Sequence, residues 1–139
     1  MSATTSTLRR PSTRAARVQT EGFRFTLSWI ALIVIGVSIA GFGAVVAVMP
    51  SSDAQYLRAI GAASIGMGLF GTIITAIAFR RRERWAWFSL WYYPLFWTAH
   101  LLGNLPPGQD HIHQVVFIVL SLLALLLSMP EFFLTTRRA

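Results

Sequence analysis

The sequence has no cysteine, no lysine and few charged residues of either sign. Without cysteine, the chain cannot form a disulfide, a thiolate metal site, an iron–sulfur cluster or a cysteine nucleophile. Charged residues make up 12% of the chain, whereas a soluble domain carries about 25%. The net charge is nevertheless +7. Such a balance would suggest a nucleic-acid partner in a soluble protein, but the distribution of the arginines argues otherwise.

Four stretches are almost free of charged residues and cover about 25–49, 57–79, 85–103 and 111–130. A membrane helix needs about 20 mostly apolar residues. Each stretch is continuously apolar, whereas the strands of a membrane β-barrel alternate. The sequence therefore predicts an all-α integral membrane protein, a four-helix bundle over residues 23–134 in which neighbouring helices are antiparallel.

The arginines indicate the orientation of these spans. They precede the first span, separate the second from the third and follow the fourth, whereas at the other end of the spans the only arginine is Arg58, at the start of the second span. Because cytoplasmic loops carry the excess of basic residues, we predict a multi-pass plasma-membrane protein with both termini in the cytoplasm. Residues 1–22 are predicted to be a disordered basic tail facing anionic lipid headgroups, although their composition also resembles a transit peptide. Residues 135–139 form a second, short basic cytoplasmic tail.

The turn between the second and third spans combines arginine with tryptophan. Arginine beside tryptophan can bind nucleic acid by charge and stacking, but this turn is held between two membrane spans, so we expect no nucleic-acid partner. The same residue types mark the boundary of a membrane. The predicted interface anchors are Arg80, Arg81, Arg82, Arg84, Trp85 and Trp87.

Small residues recur every three or four positions on one face of each of the first two spans. Helices in lipid associate where small residues let their backbones approach closely. This pattern predicts packing between helices and carries no information about function. The predicted packing residues are Gly36, Ala40, Gly43, Gly61, Ser64, Gly68 and Thr72.

The third span carries a polar face and a separate aromatic face, with Pro94 between its ends predicted to kink it. A link of about six residues joins it to the fourth span and forces an antiparallel hairpin. Polar residues of both spans should then converge near the outer surface. The candidate ligand-binding residues are Tyr93, His100, Asn104 and His113.

The histidines allow three interpretations. His100, His111 and His113 could supply nitrogen ligands to a metal, and His100 with His113 could hold a haem. The simplest interpretation is a polar cluster that fixes the outer hairpin. There is no HExxH motif, and no acidic or basic residue lies in the central third of any span, which argues against a pump or a proton-coupled transporter. We therefore predict no metal, no cofactor and no catalytic residue.

The segment "FRRRERWAWFSLWYYPLFWTAHLL", followed by a Pro-Gly loop, a histidine and "LSLLALLLSMPEFF", resembles small four-span integral membrane proteins of actinobacteria, most of them uncharacterised. The resemblance covers about the last 60 residues. It implies a four-helix plasma-membrane protein and brings no assigned activity or functional residue.

These observations favour a non-enzymatic protein, namely an accessory or scaffold subunit of a larger membrane assembly that has other membrane proteins as partners. Its small size and the aromatic face of the third span support this hypothesis. Two alternatives remain open. One is a binding or carrier protein for a lipid or another apolar molecule, with a pocket between the third and fourth spans. The other is a metal- or haem-linked redox protein.

Overall fold

The computed structural model describes residues 13–103 and 111–133. They form helices and short connections, and no strand occurs among them, so the predicted all-α class is confirmed. In chain order the elements are α1 (Thr13–Val48), α2 (Ala54–Ile74), a π-helical segment (Thr75–Phe79), α3 (Arg84–Leu90), α4 (Tyr92–Leu102) and α5 (Ile112–Phe133).

Three helical stretches are long and apolar enough to cross a membrane, and they cover residues 22–48, 54–79 and 112–133. They coincide with the predicted first, second and fourth spans. Their outward faces carry exposed aliphatic and aromatic side chains, as expected for helices surrounded by lipid tails. The described part of the chain thus has the composition and helix lengths of a membrane protein.

Helix α1 begins at Thr13, inside the tail that the sequence predicted to be disordered. The segment "TRAARVQTEG" is rich in alanine, arginine, glutamine and glutamate, which are strong helix formers. This local propensity extends the first apolar helix toward the N-terminus. Residues 1–12 and the predicted tail at 135–139 lie outside the described residues.

The third predicted span, 85–103, is divided into α3 and α4 at Trp91. Pro94 has no N–H to donate to the carbonyl of Leu90, and a proline ring clashes with the carbonyl four residues earlier. At this break the N–H of Trp91 donates to the carbonyl oxygens of Phe88 and Ser89, in a turn tighter than that of an α-helix. The proline therefore produces a break one turn before its own position.

The first two helices form an antiparallel pair in which the backbones touch. A Cβ atom added to Gly68 would lie 2.5 Å from the backbone nitrogen of Ala40, and one added to Gly61 would lie 2.6 Å from the carbonyl oxygen of Gly43. Such distances leave room for a hydrogen atom only. On its other side α1 packs against α5, and α5 packs against α4.

Phenylalanines from three helical elements meet at one end of the bundle, which we call the arginine end: Phe25, Phe79 and Phe132, together with the turn Arg80–Arg84. The rings of Phe25 and Phe79 are stacked at 5.6 Å, and that of Phe132 lies 4.8 Å from Phe79. The guanidinium of Arg82 lies 4.8 Å from the Phe25 ring centroid. It also forms an ion pair of 3.1 Å with the buried carboxylate of Glu131, which joins the turn to the end of α5.

The indoles of the half-buried Trp29 and the buried Trp87 donate hydrogen bonds to backbone carbonyls of neighbouring helical elements. Trp29 of α1 bonds to the carbonyl of Thr75 at 3.0 Å, and Trp87 of α3 bonds to the carbonyl of Leu125 at 3.0 Å. Thr75 begins the π-helical segment, whose wider turn loosens the regular ladder of helix hydrogen bonds. These bonds tie α1 to the end of α2, and α3 to α5.

The glycine contact predicts a clear contrast between two Gly→Ala substitutions in different environments. Gly68→Ala places a Cβ against the backbone of α1, so the helices must separate, and we expect a loss of stability of about 1–3 kcal/mol. Gly41→Ala places its Cβ where no atom lies within 4 Å, so we expect no loss. Unfolding of both variants in detergent, followed by circular dichroism, measures the difference. An equal loss in both variants would contradict this assignment of the α1–α2 contact.

Candidate functional site

A groove of about 450 Å³ lies between α2 and the α3–α4 segment. Small-molecule sites have volumes of about 300–1,000 Å³ and are mostly apolar with a few polar groups. The hydroxyl group of Ser89 is an exposed polar side-chain group of this wall, whereas the Tyr93 hydroxyl is buried. The groove is lined by Ala63, Gly66, Met67, Phe70, Gly71 and Ile74 on one side and by Ser89, Leu90, Tyr92 and Tyr93 on the other.

The groove arises because its two walls pack against different helices. Helix α2 packs mainly against α1, whereas α4 packs mainly against α5, so α2 and α4 stand apart. Gly66 is half-buried on this side of α2, and a Cβ added to it would meet no atom within 4 Å. The space beside Gly66 is therefore open.

Tyr93 forms the floor of the groove and is 1% exposed. Its hydroxyl group lies 2.6 Å from the position that a Cβ of Gly36 would occupy, and it occupies the position of a Cβ of Gly71. The Thr72 hydroxyl, which donates to the carbonyl of Gly68 at 2.7 Å, lies against the same side of Gly36. Tyr93 thus reaches into a notch made by two glycines and fastens α4 to the α1–α2 pair.

The sequence predicted that Tyr93 and the histidines converge, but the structure places Tyr93 apart from them. Tyr93 points toward α1 and α2, about 10 Å along the helix from His100 at 1.5 Å per residue. His100 Nδ1 lies 3.0 Å from the carbonyl oxygen of Phe96, and its ring lies 4.0 Å from the Phe96 ring. Asn104 lies outside the described residues.

The two histidines instead share one neighbour, the buried Trp97. Its ring centroid lies 5.7 Å from that of His100 and 5.8 Å from that of His113. Phe117 stacks on Trp97 at 5.1 Å, and Phe42 lies 4.8 Å from His113. The two histidines belong to an aromatic cluster that joins α1, α4 and α5 at the end of the bundle opposite the arginines. Within residues 13–103 and 111–133, no three histidine, aspartate or glutamate side chains are grouped so as to hold a metal ion.

The predicted interface anchors divide into exposed and buried residues. Arg80 lies 5.3 Å from the Trp29 ring and Arg84 lies 5.8 Å from the Phe133 ring. Trp85 is exposed and donates a hydrogen bond to Glu83. Trp87 is buried against α5, so it connects helices and does not face outward as a lipid anchor would.

Sequence reasoning missed the groove and the buried ion pair. Ala63, Gly66 and Phe70 recur at helical spacing beside the predicted packing stripe of α2, and this second face was a readable signal. Glu131 also carried a signal, because an acid near the end of an apolar helix is costly to bury unless it is paired. Its partner could not be read from the sequence, since Arg82 reaches it from a turn with φ of 59°.

The Tyr93 notch predicts opposite effects for two Gly→Ala substitutions in α2. Gly71→Ala displaces the Tyr93 ring from the notch, and we expect a loss of about 1–3 kcal/mol of stability. Gly66→Ala, five residues away in open space, should cost nothing. Detergent unfolding followed by tryptophan fluorescence measures both variants. If Tyr93 is the cause, Gly71→Ala will cost much less in a Tyr93→Ala background, and an unchanged cost there would refute the notch.

No protein-family model, curated protein or solved structure matches this chain. The site therefore has to be interpreted from its own residues. The groove, the Tyr93 notch beneath it and the outward aromatic residues beside it are the features on which a function can be based.

Proposed function

We propose that this chain is a four-span plasma-membrane protein with both termini in the cytoplasm. Helices α3 and α4 together form the third span, because residues 84–102 approach the length of about 20 residues that a crossing needs. Trp91, where they join, keeps helical backbone angles of −61° and −15°. The excess of arginine at one end supports the cytoplasmic assignment.

Cysteine labelling tests this topology in a chain that has no cysteine of its own. Ser52→Cys and Arg81→Cys place single thiols at exposed positions on opposite ends of α2. An impermeant maleimide added to whole cells should label position 52, and position 81 only after the membrane is opened. Labelling of position 81 in intact cells would reverse the proposed orientation.

Its function is that of a non-enzymatic accessory or scaffold subunit in a larger membrane assembly. The observation that carries this proposal is an aromatic ridge on the outside of the third span, formed by Trp85, Phe88 and Tyr92. These side chains are 53%, 59% and 55% exposed. Burial of apolar surface gains little inside a bilayer, so association there depends on close packing. Large rigid rings provide such packing and are enriched among the residues that dominate binding energy.

The ridge is held in place from behind. Phe88 lies 5.2 Å from the buried Trp87 ring and 5.9 Å from that of Phe133. Tyr92 lies 5.8 Å from the Phe96 ring, which in turn lies 5.4 Å from that of Trp97. Because these rings are ordered before any partner arrives, less conformational entropy is lost on association.

A second candidate function is the binding or transport of an apolar molecule in the groove. Its volume and its apolar walls with the hydroxyl group of Ser89 favour this alternative. The binding site would then lie between α2 and the third span, on the opposite side of Tyr93 from the pocket that the sequence suggested.

Photo-crosslinking distinguishes a partner-binding ridge from a lipid-facing one. A photoreactive amino acid at Phe88 should give one discrete protein adduct in native membranes, and that partner should copurify in mild detergent. The same probe at Leu126, which is similarly exposed on α5, should give lipid adducts only. A chain that purifies alone and forms no protein adduct at 85, 88 or 92 would rule out the accessory role.

A further inference from the structure

We propose that the groove binds one acyl chain of an anionic phospholipid, and that Arg81 holds its headgroup at the arginine end. This inference rests on the topology and on the second candidate function proposed above, and it does not depend on the accessory role, because the ligand comes from the surrounding bilayer. Three features of the groove support this assignment, namely its length, its volume and the charge beyond its end.

The longer wall of the groove is comparable in length to one leaflet. Its α2 wall runs from Ala63 to Ile74, which is about 16 Å at 1.5 Å per residue. The hydrocarbon core of a bilayer is about 30 Å thick, so this wall covers about half of it. A chain that enters from the arginine end would lie along this wall, within the hydrocarbon core.

The groove is too small for a helix. It encloses about 450 Å³, whereas a helix of about 10 Å diameter that ran the roughly 16 Å of the α2 wall would occupy roughly 1,250 Å³. Phe70 and Tyr92, which stand 70% and 55% exposed at the rims, further narrow the access. A single flexible hydrocarbon chain fits this space, and a partner helix does not.

One arginine of the arginine end remains available for a headgroup. Arg80, Arg82 and Arg84 each lie over an aromatic ring. Arg81 is exposed and, among the described residues, contacts no ring and forms no ion pair. It lies in the turn after the π-helical segment, seven residues beyond Ile74, which is the last residue of α2 that lines the groove. The apolar span ends at residue 79, and the headgroup zone beyond the hydrocarbon core is about 5–8 Å thick on each side, so Arg81 lies at the depth of a lipid phosphate.

Ser89 supplies a polar contact between the headgroup and the hydrocarbon. It lines the groove and is exposed, and it lies five residues after Arg84, or about 8 Å along α3. This depth is that of the ester groups, whose carbonyl oxygens can accept a hydrogen bond from the serine hydroxyl. Basic pockets between membrane helices at the cytoplasmic side are typical sites for anionic lipid headgroups.

Native mass spectrometry of the purified full-length chain tests this site. The protein in detergent is titrated with equal amounts of dioleoylphosphatidylglycerol and dioleoylphosphatidylcholine. We expect the wild type to retain one phosphatidylglycerol with about a fivefold preference, which corresponds to about 1 kcal/mol for one arginine near an anionic surface. Arg81→Gln should abolish the preference and leave one lipid of either kind bound. Gly66→Leu should lose the bound lipid, because its side chain fills the open space of the groove.

Gly41→Leu is the matched control, since its Cβ also meets no atom within 4 Å but points away from the groove. It should retain lipid like the wild type, and an unchanged thermal unfolding of Gly66→Leu excludes misfolding as the cause. Equal retention by Gly66→Leu and the wild type would overturn the proposal, as would a wild type without preference. A disulfide-linked dimer of Gly66→Cys in vesicles would assign the groove to a second copy and overturn it too. None of these readouts involves a partner subunit.

Discussion

The direct contact between the backbones of α1 and α2 is the constraint on which the rest of the bundle depends. Glycines on both helices remove the side chains that would hold the two axes apart. Apolar side chains gain little free energy by leaving lipid tails for another helix, so this pair must be held by short-range contacts made along its whole length. This pairing with α1 buries one face of α2. Its opposite face receives few contacts among the described residues, from α3 and from Tyr93, because α4 packs against α5, and the groove is the direct result.

Charge and aromatic rings then close the bundle at the arginine end. Arg82 adopts a left-handed backbone conformation that is uncommon for a residue other than glycine. It thereby reaches both the Phe25 ring and the Glu131 carboxylate. A buried carboxylate without a cation would be costly, and a half-exposed arginine provides the cation without being fully desolvated itself. Arg80 and Arg84 lie over other rings, so the arginines of this turn have different structural roles.

The sequence predicted the parts of this structure that follow from local periodicity. Uninterrupted apolar length predicted the helices, and small-residue spacing named Gly36, Gly43, Gly61 and Gly68, all of which lie in the α1–α2 contact. It did not predict the partner of Tyr93, because helical spacing gives the face of a residue and not the helix opposite. The short link between α4 and α5 suggested that Tyr93 faces α5, but Tyr93 packs into the notch at Gly71, which lies on α2. The histidines show the same limit. Their similar depth suggested that His100 and His113 contact each other, but the large ring of Trp97 is the neighbour that both share.

The ring cluster at the arginine end joins the beginning of the chain to its end, and this affects the order in which the protein can be made. Phe132 and Glu131 leave the ribosome more than a hundred residues after Phe25. Until then the first two helices can pair through their glycines and Phe25 can stack on Phe79, but Phe132 does not yet cover these rings and Arg82 lacks the carboxylate of Glu131. In the nascent hairpin the glycine contact is therefore formed, whereas the contacts of the arginine end with α5 are still missing. The last helix supplies them, so quality-control proteases that survey the membrane would meet an exposed arginine end in any chain whose synthesis stops early.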